Sequence, residues 1–237
     1  MQEGSANNSG EAVQLLRSVA EQLKMPLTTI ARQAELGQLT GDLSMTDLGT
    51  IRTHAAAALT LVDSYLLGLQ LMREQSELQL EPVSVSSLLV ETAHELSGFA
   101  KQYNAKLELS IGGKYEPVMA HAQGLKSALL SLGYGLLESY PLLDGGQLTL
   151  AVHRTPHGIV TGLYGDFEKL TSDSWRKALA LQGQAPRPLT SLSGNGAGLF
   201  VAEAILHAMS TRLRVGKHQN QQGLATTLQP SQQLSFV

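Results

Sequence analysis

The sequence predicts an α+β chain: an N-terminal antiparallel helical hairpin, expected to pair with a second copy as a dimeric four-helix bundle, followed by an α/β sandwich. Three observations carry this. Apolar residues in the first third recur in steps of three and four, the period shifts toward two after about residue 78, and glycine-rich turns alternate there with further helical runs. Residues 11–77 and 78–237 are therefore read as two units, preceded by an Asn-, Ser- and Gly-rich stretch at 1–10 expected to be a frayed tail.

In the first helix, Val13, Leu16, Ala20, Leu23, Leu27, Ile30 and Ala34 form a heptad seam. Ser44 and Asp47 have capping-box spacing, and a second seam continues from them through Leu48, Ile51, Ala55, Ala58, Val62, Tyr65, Leu69 and Met72. Gly37, Gly41 and Asp42 supply the turn between the two runs. Two helices with one seam each cannot enclose a core. The remaining face needs either a second copy or the rest of its own chain, and the length of the second helix favours the copy.

In the second unit, residues 80–85 and 105–111 alternate as strands around a helix at 86–103. Residues 116–120 are extended, 122–139 form an apolar helix, and 147–153 and 158–164 flank Arg154-Thr-Pro-His157 as a hairpin. Residues 166–193 have a weak pattern. From Gly194 to Met209 a glycine-rich turn opens a helix, and 212–217 with 224–229 close the chain as strands of one mixed sheet with helices on one face.

Composition narrows the function. Of 237 residues, 17 are Lys or Arg and 20 Asp or Glu, a net charge of −3 that offers no basic stripe, so nucleic acid is not an expected partner. The absence of cysteine excludes disulfides, cysteine-held metals and thiol catalysis, and makes a reducing cytoplasm the natural compartment. The most apolar window, 127–143, is interrupted by Glu138 and Pro141 and falls short of the roughly 18–20 apolar residues of a bilayer span, so no membrane insertion is expected. Neither a Walker A loop, a dinucleotide fingerprint nor a nucleophile elbow occurs. Among seven histidines, His54 at the edge of the second seam is the one candidate phosphate acceptor. His153 and His157 are four apart on a hairpin rather than a helix face, His94, His121, His207 and His218 stand alone, and no metal site is expected.

Three segments carry a resemblance. Ala20-Glu-Gln-Leu-Lys-Met-Pro-Leu-Thr-Thr-Ile30 resembles the phosphoacceptor motif of sensor histidine kinases, Ser-His-Glu-Leu-Arg-Thr-Pro-Leu-Thr-x-Ile, on the first helix of a dimerisation hairpin. Gly194-Asn-Gly-Ala-Gly-Leu-Phe-Val-Ala-Glu-Ala-Ile205 is similar to the glycine box that ends their ATP lid, and 124–141 to the helix carrying their two asparagines, with the proline at Pro141. The resemblance spans residues 11–230 and implies the ATPase (Bergerat) sandwich shared with gyrase, Hsp90 and MutL.

Aligned on Pro26, the resemblance puts Glu21 at the phosphoacceptor position, Gln22 at the general-base position and Met25 at the phosphatase position. A carboxylate does not replace an imidazole that takes a phosphoryl group on nitrogen, and an amide accepts no proton at neutral pH. Aligned on Pro141, the Mg²⁺-ligating asparagine becomes Gly135 and the earlier one Ser131, although magnesium needs oxygen ligands. Asp166 falls near the adenine-reading aspartate without its following glycines. Gly194, Gly196 and Gly198 keep the glycine box, either as a phosphate cradle or as a sharp turn with close helix packing. Lys126, Lys169, Arg176, Lys177 and Arg187 are the cations that phosphates would meet, or scattered surface charges.

The resemblance thus implies a degenerate histidine-kinase-like protein of two-component signalling: a homodimeric adaptor that binds a response regulator receiver or a sensor kinase, with neither autokinase activity nor a cofactor. Glu21, Lys24, Thr28 and Arg32 form the expected partner face. The alternatives are a divergent ATP/Mg²⁺-binding kinase and a kinase-like phosphotransferase.

Overall fold

A computed structural model describes residues 3–73, 78–139, 146–167, 169–180 and 197–231, with the backbone alone for residues 3–14, 21 and 22. The hairpin consists of α1 (Glu3–Thr40) and α2 (Met45–Arg73). The expected frayed tail is instead helical from Glu3. Extending an established helix adds one hydrogen bond per residue fixed, so polar residues with poor propensity still propagate it.

Gly41 takes φ 71°, the left-handed conformation that ends helices. Gly37 stays inside α1, where a Cβ would lie 2.4 Å from Leu43 Cγ, so its missing side chain lets the connection fold back. The capping box forms: the Asp47 N–H donates to Ser44 Oγ and the Ser44 N–H donates to Asp47 Oδ2, both at 3.1 Å.

The seam read in α1 is only in part the face that this chain buries. α1 touches α2 and α6, and its buried residues among the described side chains are Leu15, Ser18, Val19 and Pro26. Leu16 and Leu27 are 51% and 55% exposed, Ala20 and Ala34 are also exposed, and Leu23 and Ile30 are half-buried. The hairpin therefore docks on its own chain through a neighbouring face that takes in Leu23 of the seam, and leaves Leu16, Ala20, Leu27 and Ala34 open. In α2, Ala58 and Tyr65 of the predicted seam are buried, joined by Ala57, Leu61, Ser64, Gly68 and Leu71, because this helix also meets α3, α4 and α6.

The sandwich follows in the expected order, with one addition: β1 (Glu81–Val83), α3 (Val85–Gln102), β2 (Lys106–Ile111), β3 (Val118–Ala120), α4 (Ala122–Ser139), β4 (Gln147–Thr155), β5 (Gly158–Gly165), α5 (Ser172–Ala180), α6 (Ala197–Ala208), β6 (Arg214–His218) and β7 (Gln221–Leu228). The addition is α5, in the weak-pattern stretch. It buries only Trp175 and Ala178, too few positions to show a period, and starts from a reciprocal pair of Thr171 and Ser174 hydrogen bonds.

Strand β4 runs to Thr155, which tightens its turn, and Gly158 takes φ 132°. Strand β7 begins at Gln221 rather than 224 because its polar start is held by backbone pairing with β6. The single mixed sheet expected is divided: β1 and β3 form an antiparallel ribbon, and β2-β4-β5-β7-β6 a five-stranded sheet in which only β2–β4 is parallel.

One apolar core runs through the molecule. It joins Leu148, Leu150, Leu163 and Leu224 of the sheet to Leu96, Leu125, Leu136 and Ile205 of the helices, and to Leu15, Val19, Leu61, Tyr65 and Leu71 of the hairpin. Close approach between these layers depends on small residues: a Cβ on Gly124 would lie 3.2 Å from Leu71 Cδ1, and one on Gly68 3.3 Å from Ile205 Cγ1. Among the described residues, α2 rather than the 127–143 window is the helix long and apolar enough to cross a bilayer by length and composition, and its buried face sits in this core.

Candidate functional site

Two places concentrate the residues singled out by sequence: the middle of α1 and the contact of α4 with α6. Glu21 and Gln22 lie on the α1 backbone, with side chains outside the described residues. Met25 is 58% exposed. Pro26 is buried inside the helix and has no N–H for the carbonyl one turn earlier. Lys24, Thr28 and Arg32 are exposed at i, i+4 spacing and so share one face.

At the second place, Ser131 and Gly135 on α4 meet Gly198 in the first turn of α6. A Cβ on Gly198 would stand 2.3 Å from the Ser131 carbonyl oxygen and 3.0 Å from the Gly135 nitrogen, and a Cβ on Gly135 would stand 2.8 Å from the Leu199 nitrogen. The two helices are in backbone contact where the resemblance expects a magnesium-binding side chain. Ser131 Oγ is buried with no hydrogen-bond partner among the described residues.

These residues do not fit a Mg²⁺–nucleotide: position 135 provides no oxygen ligand, and a longer side chain there would have to displace the α6 backbone. Gly198 makes a close helix contact in the first turn of α6. Gly194, Gly196, Pro141 and Arg187 lie outside the described residues. Asp166 is exposed in the turn after β5.

The remaining candidates have local roles. Lys126 pairs with Glu95 at 2.8 Å and Glu91 at 3.2 Å, bonds that raise its pKa. Arg176 pairs with Asp173, and Lys169 and Lys177 are exposed.

His54 is half-buried, its ring edge-on to Phe99 with centroids 6.0 Å apart, and burial lowers its pKa. It is less open to phosphate than a seam-edge position implied. Three of the four histidines read as solitary have partners. His121 Nδ1 accepts the Gly124 N–H at 3.0 Å and caps α4, while His207 Nε2 lies 2.9 Å from Arg212. His218 stacks on His153, a pair that sequence reasoning missed because the two strands are far apart in the chain. His94 is exposed.

No family model and no curated protein sequence matches this chain. Solved structures do match. The Acinetobacter baumannii histidine kinase AdeS superposes with a TM-score of 0.55 at 13% identity, over 89% of this chain and 98% of that one. The nucleotide-free catalytic domain of histidine kinase ThkA gives 0.52 at 11% identity over 65% and 97%. This chain has the histidine-kinase fold.

Full-length ShkA in complex with AMPPNP gives 0.51 at 18% identity over 92% of this chain, which spans 46% of ShkA. A match over 89% of the chain is too long to be confined to the sandwich, so the hairpin belongs to the shared histidine-kinase architecture. At these identities the likeness concerns the fold, and what the site can do rests on this chain's own side chains.

Proposed function

We propose that this chain is a two-component signalling protein that keeps the histidine-kinase fold without autokinase activity, and serves as a cytoplasmic, dimeric adaptor for a response regulator receiver domain or a sensor kinase. The observation that carries this reading is the backbone contact of Gly135 with Leu199 and of Gly198 with Ser131. It takes the space of the family's metal-ligating side chain and provides no replacement oxygen. The exposed Leu16 and Leu27, on the part of the heptad face that α1 does not use within its own chain, support self-association. The exposed row of Lys24, Thr28 and Arg32 supports a polar partner face beside it.

Calorimetric titration with Mg²⁺ and ATP tests the central claim. The expected result is no saturable heat; a dissociation constant in the micromolar range, on the order of −8 kcal/mol, overturns it. Gly135→Asn, which restores the family side chain, is expected to destabilise the fold by about 1–3 kcal/mol without creating affinity for ATP. In the same preparations, Leu16→Glu with Leu27→Glu should halve the solution mass. Lys24→Glu with Arg32→Glu should weaken receiver capture and leave the mass unchanged.

A further inference from the structure

The face of the five-stranded sheet turned away from the helices carries a second, separate cluster. Ala151, Tyr164 and Ala225 are buried there, with Val160 packed against them. An outer sheet face buries side chains without a covering layer only if the sheet coils over itself, and the register shows why this one does. Ser110, Ala151, Gly162 and Ala225 stand side by side across β2, β4, β5 and β7, a row with almost no side-chain bulk. Gly162 and Gly223 tighten the coil: a Cβ on Gly162 would be 2.3 Å from the Leu224 carbonyl oxygen, and one on Gly223 would be 2.0 Å from that of Leu163.

The coil brings opposite edges together. β2 and β6 are the two edge strands of the sheet, yet Ser110 Oγ on β2 lies 2.9 Å from His218 Nε2 on β6. The His218 ring stacks on that of His153 in β4, with centroids 5.3 Å apart and planes 28° apart, and also lies 5.3 Å from the Tyr164 ring in β5. His153 Nδ1 and the Tyr164 hydroxyl are buried with no hydrogen-bond partner among the described residues. Glu108, the carboxylate on this face of β2, is engaged by Lys106 at 2.5 Å and by Gln147 Nε2 at 2.7 Å. From β7 the cluster receives Ala225, which does not titrate. β6 adds Arg214, exposed and opposite Ala225 on the same face, and burial raises the Tyr164 phenol to about 12, so the nest titrates near neutral pH through its two imidazoles.

We infer that the His153–His218 stack is a proton-operated latch: neutral, it holds the β6–β7 hairpin coiled onto β2, and protonated, it releases that hairpin and opens the outer face of the sheet. A proton placed on His153 Nδ1 in the closed form is a buried N–H with no acceptor among the described residues, and a second proton on His218 adds a like charge one ring away. Opening supplies water to His153 Nδ1 and separates the two rings. The closed form therefore favours neutral rings, in line with the lowering of both pKa values by burial and, at His153, by its neighbour His218. Acid acts first where the two edges meet, at the β6 end carrying His218, rather than on the main core.

Amide hydrogen exchange on the full chain at about pH 7.5 and about pH 5.0, corrected for intrinsic exchange rates, tests the latch. Amides of β6 and β7 are expected to exchange on the order of tenfold faster at the lower pH, with those of α4 unchanged. His153→Gln with His218→Gln, which keeps polar groups of similar reach but removes the titration, should abolish most of that response. Equal protection of β6 and β7 at both pH values overturns the proposal, as does equal acceleration in α4 or an undiminished response in the double variant. Should the double variant not fold, proton NMR of the unmodified protein decides: both rings are expected to titrate below the ordinary value of 6.5, in coupled steps, and two independent titrations at 6.5 overturn the latch.

Discussion

Gly135 shows how one residue reads differently in sequence and in space. Along the chain the resemblance sets it where a metal ligand is expected; in the fold it is the position at which α6 rests its backbone on α4. Gly198 makes the reciprocal contact, so the two glycines form one feature. The histidines show the same dependence on surroundings. Burial lowers the pKa of His54, His153 and His218 from 6.5, so the folded protein binds their protons less readily than the unfolded chain does. Their stabilising contribution is complete above 6.5 and is lost as pH falls from there through the depressed folded values. Glu203 acts in the opposite sense: burial raises its pKa from 4.5, against the pull of the Leu213 N–H and Arg212, so its contribution declines as pH rises above 4.5. Three imidazoles against one carboxyl predict a lower urea midpoint at about pH 5.5 than at about pH 7.5. Equal midpoints would contradict that balance.

At the scale of elements, legibility followed the number of buried positions. Helix α4 was visible end to end because it is apolar on nearly every side, and fourteen of its residues are buried. Helix α5 was hidden because two buried residues make no period. The start of α2 was legible because a capping box is local, fixed by Ser44 and Asp47 alone. Ser44→Ala should cost about 1 kcal/mol in chemical denaturation, since it removes the acceptor for the Asp47 N–H. Helix α1 is the instructive failure. Its heptad seam was correctly seen as apolar, yet the chain buries the neighbouring face, because periodicity locates a stripe without saying which partner covers it.

For the whole molecule, the shared core makes the hairpin and the sandwich one thermodynamic body rather than two tethered ones. Leu61, Tyr65 and Leu71 are buried in the same cluster as Leu125 and Ile205. Trp175, the single tryptophan, reports from the sandwich, where its Nε1–H donates to the Leu213 carbonyl oxygen at 3.3 Å. Far-ultraviolet circular dichroism reports mainly from the helices. The two signals are expected to share one thermal midpoint, and Leu61→Ala, at a cost of about 2–5 kcal/mol, should lower both together. A separate, earlier loss of helix signal would show that the hairpin melts alone.

Sequence by itself determined the hairpin, the capping box and the order of the elements other than α5, because each is a property of residue type and local spacing. Tertiary structure decided the rest: that α4 and α6 close on each other through glycine, that α1 keeps Leu16 and Leu27 of its seam outward, and that a small-residue row coils the sheet until His218 meets Ser110. Those outcomes depend on which surfaces meet across long stretches of chain. Close packing selects among such meetings by shape and volume, which no local periodicity encodes.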